Sequence, residues 1–392
     1  MEPRVAAGDH PRRDVVFTFA TDSWADAVSR DHCMPGDQLV LSLADSPRVH
    51  RLLVADPWRS APVRAVRWLQ GSPRVPRLQE AKTSARHVRP LRVRRYDPVG
   101  LPSLRRAYER YDRSLRRAAA RAGLVRPAVI TCNPFVAAFS SFDWAGPVTL
   151  YLWDDWAAHP SSRKWWPAYE EAYRLVGASG RRLVTVSEQL IGRVGPTGPS
   201  AVIPNGVTPE QWAPPWDVPG WFAEMPQPRA LYIGTLDDRL DTAALADVAA
   251  RWPAGRVVLA GPTVAPSVLA RLGSVPNIVI RPPMGRTELA AVVAASDVCL
   301  LAHRTTELTR AMSPLKLYEY LAGGARVVAT DLPPVRDVDP SVLLVEPGGA
   351  FADAVAQALE RPRPSEETRR AFVEANSWTS RHEAFLDLAL AD

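Results

Sequence analysis

Short β-branched or apolar runs alternate with helix-length segments along the whole chain, and this alternation constrains the fold more than any other feature. In the first half the runs are Val15–Ala20, Leu39–Leu43, Val88–Arg92, Ala128–Cys132, Val148–Trp153, Leu183–Val186 and Ala201–Ile203. In the second half they are Ala230–Gly234, Arg256–Ala260, Ile278–Ile280, Val298–Leu301, Arg326–Ala329 and Val342–Val345. Helices are expected between the later runs, at Thr242–Arg251, Ala265–Leu272, Thr287–Ala295 and Leu315–Ala322. Strand–helix–strand repetition predicts parallel sheets covered on both faces, an α/β fold with one doubly wound sheet per half. Ligands of such sheets bind beyond the carboxyl ends of the strands.

A chain of 392 residues is long enough for two such units of roughly 150–200 residues each. Pro209–Pro228 is rich in Pro and Trp and lacks periodicity, which predicts an extended linker. The expected organisation is a first Rossmann-like domain over 1–208, a linker over 209–228 and a second Rossmann-like domain over 229–392, facing one another across a cleft. Glu366–Leu390 reads as one or two helices around Asn376-Ser377-Trp378, and the sequence leaves open which domain they join.

Charge is distributed unevenly. Residues 1–130 hold 25 Arg or Lys against 13 Asp or Glu, so the remainder is net acidic within a total of +6. Two readings of the basic half stay open: an anionic partner such as a membrane face, or solvated arginines on helix faces such as Ser103–Arg121. Zinc-finger spacing, RNP-like aromatics and basic heptads are missing, which argues against nucleic acid. Cys33, Cys132 and Cys299 lie far apart with no CxxC pair, which argues against a disulfide framework or structural zinc. The first residues lack a basic segment followed by an apolar run, and Leu289–Ala302 is too short and interrupted by Asp297 to span a bilayer. The expected location is the cytoplasm, with the inner membrane face as an alternative.

The chemistry concentrates in Ser313-Pro314-Leu315-Lys316-Leu317-Tyr318-Glu319-Tyr320-Leu321-Ala322-Gly323-Gly324. Ser313 suits an N-cap, Pro314 the first helical position and Gly323 a left-handed stop. A helix starting after one strand and ending before the buried run Arg326–Ala329 offers unpaired N–H groups to an anion. Lysine occurs only at positions 82, 164 and 316 against 45 arginines, and Lys316 in the first turn suits a diphosphate. Glu319 shares that helix face and suits the paired hydroxyls of a ribose, unless the two residues form an exposed Lys–Glu pair. Upstream, Gly234 and Thr235 end a strand where backbone approaches a phosphate or sugar closely, and Arg239 is placed to clamp a diphosphate. Ala260-Gly261-Pro262 and Arg281-Pro282-Pro283-Met284-Gly285 end the next strands and are candidate walls of a base or ribose pocket.

Together with Ile203-Pro204-Asn205-Gly206-Val207 and Ala295-Ser296-Asp297-Val298, these segments resemble the family 4 group of GT-B glycosyltransferases. Asp154-Asp155-Trp156, Val186-Ser187-Glu188 and the Ser-Pro-Leu-Lys-Leu-Tyr-Glu-Tyr helix are most similar to the teichuronic acid biosynthesis glycosyltransferase-like branch. The resemblance is strong over about 180–390 and thin before 148, where Trp24 and Asn133-Pro134 carry it. It implies a nucleotide-sugar donor of the UDP, GDP or dTDP type and hexosyl transfer with retention. It also implies a sugar, lipid-linked or small-molecule acceptor on the first domain. Glu319 would then hold the donor ribose, and Lys316 with Arg239 the diphosphate. Gly234 and Thr235 would face the transferred sugar, and Asp154 or Asp155 the acceptor or donor sugar. The family's second glutamate, eight residues before Glu319, is replaced by Ala311, with Glu307 one turn upstream as its nearest substitute. No DxD motif flanked as a metal site appears, and Asp154-Asp155 is adjacent rather than spaced, so metal-independent transfer is expected. A nucleotide-sugar epimerase or hydrolase of the same architecture, a non-catalytic binding protein and a basic scaffold remain the alternatives.

Overall fold

A computed structural model of the chain describes residues 12–62 and 83–391. Two compact units emerge, one of Met1–Ile203 with His382–Asp392 and one of Pro204–Arg381. The first is built on β1 (Arg13–Thr18), β2 (Val49–Ala55), β3 (Ser84–Val88), β4 (Ala128–Thr131), β5 (Val148–Leu152), β6 (Arg182–Thr185) and β7 (Ser200–Val202). These form one parallel sheet in the order β3-β2-β1-β4-β5-β6-β7. The second is built on β8 (Arg229–Ile233), β9 (Arg256–Ala260), β10 (Ile278–Arg281), β11 (Val298–Leu301), β12 (Val327–Thr330) and β13 (Leu343–Val345). Its parallel order, β10-β9-β8-β11-β12-β13, repeats the reversal of the first sheet. Strand order therefore reverses between β1 and β4, and again between β8 and β11, and a crevice opens at such reversals beyond the carboxyl ends. The expected pair of doubly wound α/β units is present, in the GT-B pattern.

Period-two alternation divides the core of the second unit. Leu231, Ile233, Val258, Ala260, Cys299, Leu301, Val327 and Ala329 face one layer, and Ala230, Tyr232, Val257, Leu259, Val298, Leu300 and Val328 the other. The helices Arg286–Ala295 and Leu315–Ala322 cover the first face, and Thr242–Arg251, Pro266–Leu272 and Phe351–Glu360 the second. All three cysteines are unbridged. No helix among the described residues is long and apolar enough to cross a membrane.

Four sequence expectations need correction. Leu39–Leu43 lies inside the helix Pro35–Asp45, because so short a run, four apolar residues and Ser42, carries no decisive period and Pro35 sits at the helix start. The strand in that region is Val49–Ala55, masked in sequence by His50 and Arg51 at its beginning. Val88–Arg92 is split between the end of β3 and a two-residue pairing of Leu91–Arg92 with Arg59–Ser60. Pro209–Pro228 is not an extended linker: Trp212 and Phe222 are buried in the core of the second unit, which begins at Pro204. Two large aromatic side chains supply enough apolar surface to fix a segment that has no periodicity of its own.

The C-terminal helices divide between the units. Glu366–Ala375 joins the second, where Arg369 donates to the carbonyls of Trp212 (2.6 Å) and Ala322 (2.9 Å) and Phe372 stacks on Tyr318. The helix Trp378–Ala389 starts in the second unit, and from His382 onward belongs to the first. There Phe385 lies edge-on to Tyr151 at 5.2 Å, and Arg48 pairs with Asp387 at 2.6 Å.

Candidate functional site

The reversal between β8 and β11 brings together three loops of the second unit. After Ile233 the chain turns through Gly234 at φ +119°, a backbone conformation that side-chain-bearing residues rarely adopt. Gly234 N donates to Ala260 O (2.9 Å), and the next strand ends in Gly261 at φ +151°. A Cβ on Gly261 would stand 2.1 Å from Gly234 O, so the two turns stack backbone on backbone. Leu236 N donates to Pro262 O (2.8 Å), and Gly261 N to Arg281 O (3.1 Å), which ties the ends of β8, β9 and β10 into one rim. Pro262 is exposed on that rim. Arg281 lies over the Trp221 ring at 4.3 Å, while Met284 packs against the core.

Lys316 enters this rim from the first turn of the helix Leu315–Ala322. Its ammonium stands where a Cβ on Gly234 would lie 2.7 Å away, so any side chain at that position would push the ammonium aside. Nζ donates to Tyr232 Oη (2.5 Å), lies 4.0 Å from the centre of that ring and 3.5 Å from His303 Nε2. Burial first, and then the Arg239 cation, push Lys316 down to about 7 against the opposing pull of Asp237 and Glu319. His303 follows β11 and is buried; burial, Lys316 and Arg239 hold it well below the usual imidazole range, so it is neutral. Its Nδ1 is buried without a hydrogen-bond partner, and its Nε2 is 3.2 Å from Tyr232 Oη. Neither Tyr232 nor His303 was singled out by sequence. Both look like core positions, and what marks them is only their place at a strand's carboxyl end, Tyr232 next to last in β8 and His303 two residues beyond β11.

The start of the helix differs from expectation. Pro314, not Ser313, is the N-cap, and no side chain caps the first turn. Ser313 is instead engaged by Asn205, whose Nδ2 donates to Ser313 O (2.6 Å) and whose N–H approaches Ser313 Oγ (3.3 Å). At the other end Gly323 is right-handed, at φ −78°, and the left-handed residue is Gly324 at φ +67°. Gly323 is required by packing, since a Cβ there would meet Val293 Cγ1 at 2.5 Å. Leu315, Lys316 and Glu319 thus sit on a helix whose start is held by Asn205 without a side-chain cap and whose end is closed by backbone hydrogen bonds at Gly323 and Gly324.

Glu319 and Lys316 do not form an exposed pair. Glu319 is buried and accepts from Arg286 (2.5 Å), whose other nitrogens reach Gln211 Oε1 (3.1 and 3.2 Å). Arg239 forks onto Asp237 in the same turn (2.7 and 3.0 Å). Burial alone would raise Asp237, but Arg239 outweighs it and holds the carboxyl below its ordinary range. Arg239 and Arg286 therefore each carry a carboxylate partner, whereas among the described residues no carboxylate forms an ion pair with Lys316. Thr235, between the two stacked turns, is half-buried. Ala311 is buried at the end of the short helix Glu307–Ala311, and Glu307 is exposed on its first turn.

In the first unit Asp154 and Asp155 follow β5. Asp155 is buried, accepts from Ala157 N (3.0 Å) and lies 3.3 Å from Arg193 Nε. Its carboxylate shapes the turn. Asp154 is half-buried at the same strand end, where Trp153 packs against Gly36 and Tyr151.

Residues 227–361 match the family described as glycosyl transferases group 1. A teichuronic acid biosynthesis glycosyltransferase named TuaH, of Bacillus subtilis (strain 168), is 27% identical over 104 residues, 26% of this chain and 26% of that relative. The matched region thus spans about a quarter of the curated relative's length. Among solved structures, α,α-trehalose 6-phosphate synthase from Burkholderia multivorans superposes with TM-score 0.68 at 14% identity, covering 97% of this chain and 98% of that one. Anabaena HepE in complex with UDP gives TM-score 0.61 at 13% identity over 95% and 98%. These likenesses span the whole chain and establish the GT-B fold. The chain has the GT-B fold, and residues 227–361 of its second unit match the model of the glycosyl transferases group 1 family.

Proposed function

We propose that the protein transfers a hexosyl group from a nucleoside diphosphate sugar to a hydroxyl acceptor, with retention and without a metal ion. One observation carries the reading: the Lys316 ammonium, held over Gly234 at the reversal of the second sheet, is a cation with no carboxylate in direct contact among the described residues. A diphosphate lying along Gly234 and Thr235 would meet that ammonium and the N-terminus of its helix. Arg239 would turn from Asp237 to the second phosphate. Glu319, oriented by Arg286, would take the ribose hydroxyls, and Pro262, Arg281 and Met284 would border the base. Ser313, Pro314 and Leu315 would supply the backbone at the helix start. As the glycosidic bond breaks, charge grows on the leaving diphosphate and Lys316 stabilises it there, without a metal. Asp154 would face the acceptor or the transferred sugar, with Asp155 fixing its turn. The family 4 type and the teichuronic acid-like branch are supported by the motif resemblance and by the match to TuaH. UDP is the first donor nucleotide to test, because the HepE relative was solved with it.

The test is incubation with UDP-, GDP- and dTDP-sugars, with and without polysaccharide, lipid-linked and small-molecule acceptors, in the presence of EDTA. Nucleotide release that requires an acceptor and survives EDTA supports the reading. Epimerised sugar without release would point to an epimerase. Binding without turnover would indicate a non-catalytic protein, the reading that the alanine at position 311 favours. Failure to bind any nucleotide would end the proposal.

A further inference from the structure

Large apolar side chains that are exposed among the described residues are not scattered evenly over the surface. Four of nine fall in one stretch of the first unit: Leu91 (43% exposed), Val93 (83%), Tyr96 (58%) and Val99 (56%). The same stretch carries Arg94 and Arg95, both exposed. It is not a loose tail. Leu91–Arg92 pairs with Arg59–Ser60, Arg92 forms an ion pair with Asp97, and Tyr108 Oη donates to Asp97 (3.4 Å). The bend at 93–96 therefore projects from a base fixed on both sides.

A second basic and aromatic segment meets it. The turn Pro160–Trp165 leaves the carboxyl end of β5, as Leu91 leaves that of β3, and Lys164 Nζ stands 5.0 Å from the Tyr96 ring. Lys164 also lies 4.0 Å over Trp165, and Arg163 stands 5.8 Å from the Trp166 ring. Arg163 and Lys164 are exposed. Aliphatic tips, aromatic rings and cations on long stems thus share one face at the end of the sheet that also carries Asp154.

We propose that this face, Leu91–Val99 with Arg163–Trp166, docks the protein on an anionic lipid surface. The surface inference stands without the transfer reading, though it fits a lipid-linked acceptor. Aliphatic residues decide between lipid and an anionic polysaccharide. Val93 and Val99 gain nothing from hydroxylated sugar, whereas at a bilayer they enter the acyl boundary while arginine and lysine stay among the headgroups. Aromatic rings prefer that same interfacial depth. Four exposed cations at the surface give about fivefold in binding each, lost as salt screens them.

The full-length protein would be co-sedimented with phosphatidylcholine vesicles and with vesicles holding about 30% phosphatidylglycerol. Binding is expected to the anionic vesicles only, and to fall steeply by about 0.5 M salt. R94E/R95E should weaken it more than about 20-fold, and V93S/Y96S at least about fivefold. R113E/R117E, which reverses two exposed arginines on the helix Leu101–Arg121, should change it less than about threefold. Circular dichroism would verify that each variant keeps its fold, and UDP affinity would report the second unit separately. Equal binding to both vesicle types, or R113E/R117E matching R94E/R95E, would overturn the proposal. So would loss of binding to soluble polygalacturonate in R94E/R95E with no vesicle binding in the parent.

Discussion

Lys316 combines a motif position visible in sequence with an electrostatic state that only its neighbours create. Its helix and first-turn placement follow from Pro314 and the spacing to Gly323, but its partners, Tyr232 in β8 and His303 just after β11, have no sequence signal beyond burial. If Lys316 stabilises charge on a leaving diphosphate, Lys316→Ala should lower kcat/KM by about 10²-fold or more. An unchanged rate would leave it a structural partner of Tyr232 and His303 with no part in transfer. Its pH behaviour has a definite sign. The free protein holds Lys316 at about 7 rather than the usual 10.5, so between those values the folded chain binds fewer protons there than the unfolded chain. That site therefore costs stability at low pH and less as pH rises through the window. A bound anion reverses the balance by favouring the charged amine. UDP binding above about pH 7 should take up a proton, and affinity should weaken by up to about tenfold per pH unit. Calorimetry in buffers of different ionisation enthalpy measures that uptake directly. Lys316→Arg, charged throughout, should abolish it while retaining part of the affinity.

At the scale of elements, the second sheet was far more legible than the first. Its strands are continuous apolar runs separated by helices that begin and end at recognisable residues, and Thr242–Arg251 and Leu315–Ala322 have the bounds read from sequence. In the first unit, β2 begins Val-His-Arg and hides, while the helix Pro35–Asp45 offers the short, mostly apolar run Leu39–Leu43 that mimics a strand. Burial of Trp212 was illegible for another reason: a lone tryptophan in a proline-rich stretch takes its meaning from a cavity formed by distant residues, here Gly323 and the core around it. Trp212→Ala should destabilise the second unit by about 3–5 kcal/mol, measured by denaturant unfolding. Gly261→Ala probes a different property. Its Cβ would overlap Gly234 O, so the rim on which the donor site is proposed must shift. Loss of UDP binding with a fold retained by circular dichroism is the expected result. An alanine variant that binds UDP normally would show that the stacking of the two turns is dispensable.

For the whole molecule, the chain crosses between its two units twice, forward after Ile203 and back within the helix Trp378–Ala389. This return was the one part of the domain organisation that sequence periodicity had no means to supply, because a helix pattern reports a buried face without naming what buries it. It has a thermodynamic consequence. Phe385 is fully buried in the first unit beside Tyr151, although it lies only a few residues beyond the end of the second. Phe385→Ala should therefore lower the stability of the first unit by about 3–5 kcal/mol. UDP, whose proposed contacts all lie in the second unit, should stabilise that unit by about 2.7 kcal/mol at a hundredfold excess over Kd. Scanning calorimetry separates the two effects: the transition lowered by Phe385→Ala should be the one that UDP leaves in place. If UDP raised that same transition instead, the donor site would draw on the first unit or the units would unfold as one, and the assignment of the diphosphate to the β8–β11 reversal alone would have to be withdrawn.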